Sequence, residues 1–444
     1  MMHNELALFT DLYELTMVQA YFEEEMHDEA VFSLYTRRLP EQRNFLLACG
    51  LDTVLEYLEQ LHFTDADIAY LATLETFSDR FLAWLRQLRF TGSVHAMPEG
   101  TPLFANEPIL EVQAPLPEAQ LVETFIMNQI HVQTVLASKA QRVVHAAAGR
   151  PVVDFGPRRM HGIDAAMKAA RAFTIAGVAA TSNVLAGKQY GVTVTGTMAH
   201  SYIQAHDDEA AALRAFATLY PDTVLLVDTY DTLAGVEKVI ALAETMGSDF
   251  SVRALRLDSG DLLALSKQTR EMLDRAGLTK VEIFASGGLN EQRISRLLSE
   301  GAPIDGFGVG TSMGVAKDAP DLDIAYKLSE YAGKGRLKLS SNKPIWPGRK
   351  QVFRSVEDAR DVVGQADEEL AGRPLLQTVM RNGERTAAGR VSIEEASEHA
   401  RKEIALLPER VRDIAPADPP YTVEISAVLS RHKQRLEEEK KEGG

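Results

Sequence analysis

Val192-Thr193-Val194-Thr195-Gly196-Thr197-Met198-Ala199-His200-Ser201 is the stretch on which the reading of this chain turns. A β-branched run, a glycine turn and then a titratable side chain read as a strand delivering chemistry to its C-terminal end. One histidine alone is more often structural than catalytic. Here, however, the same order recurs. Val152-Val153-Asp154-Phe155 precedes Gly156-Pro157-Arg158-Arg159, Val224-Leu225-Leu226-Val227 leads into Asp228-Thr229-Tyr230-Asp231, and residues 252–257 lead into Asp258-Ser259-Gly260-Asp261. Val281-Glu282-Ile283-Phe284 runs into Ala285-Ser286-Gly287-Gly288, and Ile304-Asp305-Gly306-Phe307 into Gly308-Val309-Gly310-Thr311.

Between these runs lie helical patterns at residues 209–220, 235–246, 262–276 and 290–300, the last opening on Asn290, a residue able to cap free amides. Strand and helix alternating through residues 150–327 predict a parallel sheet, closed most economically as an irregular (β/α) barrel with its site at the C-terminal strand ends. The turns Ser286-Gly287-Gly288 and Gly308-Val309-Gly310-Thr311 sit where such barrels bind phosphate through bare backbone amides. Glycine turns alone are weak evidence, because tight loops need glycine for steric reasons too.

Composition narrows the field. With 444 residues, 45% hydrophobic, the chain has core enough for two or three domains. Its one cysteine, Cys49, excludes an internal disulfide framework or thiolate zinc site and suits a reducing cytoplasm. No run is long and apolar enough to span a membrane, and the first residues do not pattern as a leader. A net charge of −16 argues against a nucleic-acid surface, while basic residues gathered at Arg37-Arg38, Arg158-Arg159 and residues 336–354 suit a small anion in a focused pocket.

Residues 1–118 pattern as an α/β domain: helices over 6–21, 51–61 and 77–88, strands over 30–35 and 108–112, and a small antiparallel sheet within 92–112. A long helical stretch at 119–148 leads into the barrel, so the division places the barrel domain at 119–335. Residues 336–444 form a C-terminal segment, with a basic hairpin (336–341 and 351–354) around Pro344 and a charged run from Arg431 that reads as a solvated helix and frayed tail.

Taken in order, Thr10-Asp11-Leu12-Tyr13-Glu14-Leu15-Thr16-Met17, Arg37-Arg38-Leu39-Pro40, Ser138-Lys139-Ala140, residues 154–159, Thr181-Ser182-Asn183, residues 196–201, 228–231, 256–261, 286–289 and 308–312, and Pro347-Gly348-Arg349-Lys350 carry a specific resemblance. The chain resembles the nicotinate phosphoribosyltransferases. That resemblance implies nicotinate mononucleotide made from nicotinate and phosphoribosyl pyrophosphate, ATP and Mg²⁺ as cosubstrate and cofactor, and an N-terminal α/β domain that C-terminal segments rejoin. It also implies a homodimer whose active sites lie between subunits. Pro157 and Leu322-Asp323-Ile324 depart from the family pattern without touching a catalytic position.

Displacing pyrophosphate from an anomeric carbon needs a bound polyanion, an aligned nucleophile and tolerance of positive charge on the ribose. Asp258 suits the ribose, with a helix N-cap as its plain alternative. Nicotinate is a planar carboxylate matched by arginine forks, for which Arg158, Arg159 and Arg256 are candidates; Tyr13, from a partner subunit, and Phe155 can stack on its ring. Ser182 can donate to a carboxylate, whereas the related nicotinamide enzymes carry an aspartate at the matching position. By resemblance His200 accepts the γ-phosphoryl group of ATP; Asp228 is the expected partner for its other nitrogen, and Ser201 orients the loop. Ser286, Gly287, Gly288, Gly308, Gly310 and Thr311 are the expected phosphate cradle, and Lys338, Lys343 and Arg349 candidates to close over pyrophosphate. Two alternatives stay open: a nicotinamide enzyme, and a catalytically silent phosphate-binding homologue.

Overall fold

The computed structural model describes residues 6–339 and 346–442. They form two units, one of Met1–Ser138 with Asp321–Gly444 and one of Lys139–Pro320.

In the second unit six strands run parallel, in the spatial order Ala180–Thr181, Val152–Asp154, Gly306–Val309, Glu282–Ala285, Ala254–Leu257, Val224–Leu226. The last strand in sequence pairs with the first, Phe307 opposite Val152, so the sheet curls back on itself as an irregular α/β barrel. Its break lies between Ala180–Thr181 and Val224–Leu226. The run 192–195, expected to be a strand, forms only a single bridge there, Val194 to Thr181. The run has a neighbour on one side only, where Thr181 N donates to Thr193 O and Thr195 N donates to Thr181 O. The segment carrying Gly196 to His200 therefore crosses the break in the barrel.

The outer helices Glu209–Leu219, Leu262–Arg275 and Glu291–Ser299 start within a residue of expectation and Thr232–Met246 starts three residues before it, each capped by a side chain: Asp208, Asp261, Asn290 and Asp231. Lys139, from the sequence motif at 138–140, is buried between Glu291 and Asp318, with Arg142 on the other oxygen of Glu291. Three buried charges, Lys139, Arg142 and Glu291, are tolerable here because each meets an opposite one, with the exposed Asp318 adding a fourth from the solvent side.

The first unit centres on a seven-stranded antiparallel sheet: Lys334–Gly335, Ile324–Tyr331, Glu29–Thr36, Pro108–Pro115, Ser93–Ala96, Gln377–Arg381, Glu384–Arg385. The division at 119 and 335 is displaced in the structure. Residues 324–331, assigned with the barrel from sequence, pair along Glu29–Thr36 instead. Among the described residues the basic hairpin does not form. Gln351 to Arg354 lies in Lys350–Ser355, whose partners are Arg360–Gln365 and Arg373–Pro374, and residues 336–339 form no strand. Residues 340–345, Lys343 and the expected turn at Pro344 among them, lie outside the described residues. The tail is an ordered helix, Ala427–Glu442, that buries Leu429 and sets Lys433 4.5 Å over the Trp346 ring.

Candidate active site

Arg256, Asp258, Asp228, Ser286 and the glycine turns stand at the C-terminal ends of the barrel strands, with His200 on the segment that crosses the break, and hydrogen bonds join most of these side chains. Arg256, next to last in its strand, is the hub. Its Nε donates to Ser286 Oγ (2.9 Å), Nη1 to Thr197 Oγ1 (2.7 Å) and Met198 O (3.1 Å), and Nη2 to Asp258 Oδ1 (2.9 Å). Its guanidinium also lies 5.3 Å from the Phe155 ring centroid. The sequence reading offered Arg256 as a carboxylate fork. In this geometry most of its donors already hold protein acceptors, so it organises the rim.

Asp258 is not a helix cap, a role taken by Asp261. Its carboxylate accepts from Ser286 as well as Arg256. Burial works to raise its pKa. The hydrogen bonds from Ser286 and Arg256, together with the charges of Arg256 and His200, outweigh burial and hold it below the usual carboxylate range. Ser286, expected to meet phosphate, spends its hydroxyl on this carboxylate.

His200 opens the short helix His200–Gln204 and stays partly exposed. Its Nδ1 is 3.0 Å from Thr229 Oγ1, and its Nε2 is 3.9 Å from Asp258 Oδ2. The expected partnership with Asp228 is not formed. Asp228 Oδ2 instead accepts the Asp258 amide (3.0 Å) and the Ser259 hydroxyl (2.6 Å), fixing the loop that carries Asp258. Asp228 Oδ1 is buried with no hydrogen-bond partner. Thr197, Thr229 and Ser259 were not singled out from sequence. Their signal was only adjacency to Met198, Asp228 and Asp258, because a hydroxyl's partner is set by which strands neighbour one another.

On the other side of the break, Asp154 holds the first turn. Gly156 N donates to its Oδ1 and Thr181 Oγ1 to its Oδ2, each at 2.8 Å, and Ser182 N donates to its carbonyl. Burial pushes the Asp154 carboxyl up to about 6, against the lowering effect of those hydrogen bonds. Asn183, not Ser182, caps the following helix, and the half-buried Ser182 hydroxyl makes no hydrogen bond among the described residues. Arg158 and Arg159 sit exposed on a 3₁₀ turn, Arg159 reaching Thr311 Oγ1 at 3.4 Å.

The glycine turns are shaped by contact. Gly287 has φ +86°, and a Cβ there would stand 1.7 Å from the Asp258 carbonyl oxygen, so no other residue fits. A Cβ on Gly308 would meet the Phe155 ring at 2.5 Å. Neither Gly287 nor Gly288 commits its amide to a hydrogen bond, while Arg293 turns back onto both their carbonyls. Gly310 precedes the four-residue helix Thr311–Gly314, and Ser201 is exposed.

Tyr13 belongs to the first unit, 49% exposed at the start of Leu12–Glu23, beside Phe9 and Leu12, which are exposed too. Arg349, offered as a pyrophosphate clamp, donates to His95 (3.2 Å) and Gln113 (3.4 Å) within the first unit. Among the described residues no three His, Cys, Asp or Glu side chains gather as a metal site, and no helix is long and apolar enough to cross a membrane.

Comparison with known proteins identifies the family and the fold. Residues 8–131 match the nicotinate phosphoribosyltransferase (NAPRTase) N-terminal domain, and residues 151–370 the NAPRTase family. The chain is 56% identical over 433 residues to nicotinate phosphoribosyltransferase pncB2 of Mycobacterium tuberculosis, covering 97% of this chain and 94% of that one. It is 42% identical to the nicotinate phosphoribosyltransferase of Bacillus subtilis, covering 84% and 79%. The crystal structure of human nicotinic acid phosphoribosyltransferase superimposes with a TM-score of 0.85 at 26% identity, covering 96% of this chain and 99% of that one. The chain belongs to the nicotinate phosphoribosyltransferase family.

Proposed function

We propose that this chain joins nicotinate to phosphoribosyl pyrophosphate, releasing pyrophosphate, and that it couples the transfer to ATP through a phosphohistidine at His200. The observation carrying this reading is the convergence of His200, Asp258, Arg256 and Ser286 on one barrel rim. A nitrogen of His200 attacks the γ-phosphorus, the bond to the β-phosphate oxygen breaks, and ADP leaves. The nicotinate ring nitrogen then bonds to the ribose anomeric carbon as pyrophosphate departs, and water returns the phosphoryl group as inorganic phosphate. Asp258 serves the ribose hydroxyls, its lowered pKa keeping it an acceptor. The uncommitted amides of Gly287 and Gly288 suit a sugar phosphate. Arg158 and Arg159 remain the arginines with exposed side chains for the nicotinate carboxylate, and the Ser182 hydroxyl can donate to it.

The chain's own residues fit Mg²⁺ as a partly substrate-held ion. Asp228 Oδ1 is a buried oxygen without a partner, and Mg²⁺ characteristically takes one or two carboxylates plus substrate phosphates. Asp228 and Asp258 would hold it, and it would neutralise charge on the diphosphate. We further assign the chain to NAD salvage in a reducing cytoplasm, consistent with its single, buried cysteine. Its working form is a homodimer in which Tyr13, exposed in one protomer, stacks in the partner's site.

A product assay offering nicotinate, nicotinamide and quinolinate, with and without ATP, tests the reading. Nicotinate mononucleotide forming fastest, stimulated by ATP, is the expected result. His200→Ala should lose both the stimulation and the label transferred from γ-³²P-ATP; unchanged turnover and ATPase activity would refute the role.

A further inference from the structure

We propose that Thr197 is a positioning residue that couples the state of His200 to the sugar-phosphate end of the site, through the hydrogen bond it accepts from Arg256. The inference rests on the ATP-coupled reading above and names the contact through which coupling passes.

The segment between Gly196 and His200 crosses the open side of the barrel, where no complete strand ladder holds it. Its anchors are few. Met198 is buried, His200 reaches Thr229, and the Thr197 hydroxyl and Met198 carbonyl take the Nη1 group of Arg256. The Thr197 hydroxyl is doubly engaged, accepting from Arg256 at 2.7 Å and donating to Met198 O at 3.2 Å. The far side of the same guanidinium grips Asp258 and Ser286, so one planar cation joins the histidine's segment to the ribose-facing carboxylate and the glycine turn.

A phosphoryl group on His200 adds a charge of about −1.5 to −2 at neutral pH. With Nε2 of His200 only 3.9 Å from Asp258 Oδ2, that charge acts on the anion and on the cation bound to it. The segment bearing the new charge holds Arg256 by two oxygens, the Thr197 hydroxyl at 2.7 Å and the Met198 carbonyl at 3.1 Å, and Thr197 supplies the shorter contact and the one made by a side chain. Without that hydroxyl the longer Met198 contact alone remains, and phosphorylation of His200 repositions Arg256 against Asp258 and Ser286 far less.

The test compares wild type with Thr197→Val, which keeps shape and loses the hydroxyl, and Thr197→Ser, which restores it. Thr197→Ala repeats the deletion should valine crowd Met198. Three quantities are read: label from γ-³²P-ATP on His200, ADP released per nicotinate nucleotide formed, and KM for phosphoribosyl pyrophosphate with and without ATP. Thr197→Val is expected to take the label, to release about tenfold more ADP per nucleotide, and to lose most of the effect of ATP on KM, with Thr197→Ser returning both toward wild type. A wild-type ADP ratio and a wild-type ATP effect in Thr197→Val would overturn the proposal while leaving the phosphohistidine standing. Loss of label in both hydroxyl-less variants would also overturn it, since Thr197 would then serve phosphoryl transfer itself. Absence of label on wild type would remove the ATP reading, and this inference with it.

Discussion

Arg354 in the first unit and Arg256 in the second both bind an aspartate and a set of neighbouring oxygens, yet they teach opposite lessons. Arg354 is enclosed. It donates to both oxygens of Asp361, at 3.0 Å from Nε and 2.6 Å from Nη2, and to Pro102 O, with Glu403 Oε2 3.9 Å from Nη1. Glu107, buried beside this pair, is pushed well above the usual carboxylate range by burial and by Asp361. Arg354 Nη1 and Glu107 Oε1 are buried without a hydrogen-bond partner, in a cluster shut off from water. Around Arg256 the accounts are left open: Asp228 Oδ1 has no partner, the Ser182 hydroxyl is uncommitted, and the amides of Gly287 and Gly288 face no protein acceptor. Unpartnered atoms occur in both networks, so what separates them is access: the first is buried between segments distant in sequence, and the second lies at strand ends beside the half-buried His200 and Ser182 and the exposed Arg158 and Arg159.

Arg354→Ala gives the sharpest way to break this contrast. Removing one partner of a buried pair strands the other, so unfolding in urea should show a loss of about 3–5 kcal/mol. A loss under about 1 kcal/mol would mean that the network is no more than a surface-like pairing. Arg256→Ala should do the reverse. Nucleotide formation should fall about a hundredfold or more, while stability drops by only about 1–3 kcal/mol. Wild-type kinetics in that variant would remove Arg256 from the site.

The sequence made the barrel legible because its strands are continuous apolar runs ending in polar turns, and because Asn290 marks a helix start by its own chemistry, as Asp208, Asp231 and Asp261 prove to do in the structure. It also placed His200, Asp258 and Arg256 at one rim. What it could not yield were partnerships across strands. Asp228 is nearest His200 in expectation, but its neighbour along the chain, Thr229, takes the imidazole, while Asp228 turns to the next strand's loop. Residues 192–195 had the composition of a strand and lacked a second neighbour. Arg349 carried the charge of a phosphate ligand, and the sheet had already claimed it. Propensity and pattern are local; pairing is not.

Ser182 offers a smaller effect that sharpens the open side of the comparison. Its hydroxyl has no partner among the described residues, so a change there should alter ligand choice more than stability. Ser182→Asp sets a carboxylate against the carboxylate of nicotinate. The kcat/KM for nicotinate should fall by about tenfold or more, and that for nicotinamide should fall less or rise. Equal losses for both pyridines would show that Ser182 does not face the substituent.

A pH dependence of stability is expected from Asp154, a buried carboxylate at the rim whose environment resembles the enclosed network. Burial raises it to about 6, so the folded chain holds a proton that the unfolded chain releases near the ordinary aspartate value. Between roughly pH 4 and pH 6 the native state therefore binds more protons than the unfolded one, and stability falls as pH rises, by at most about 1.4 kcal/mol per pH unit. The contribution is fully present below that window and gone above it. Asp154→Asn keeps an acceptor for either Gly156 or Thr181 and cannot ionise, so its urea midpoints measured across that range should lose this part of the slope relative to wild type. Identical slopes would mean that the Asp154 carboxylate is solvated when charged, and that the rim is open on this side as well.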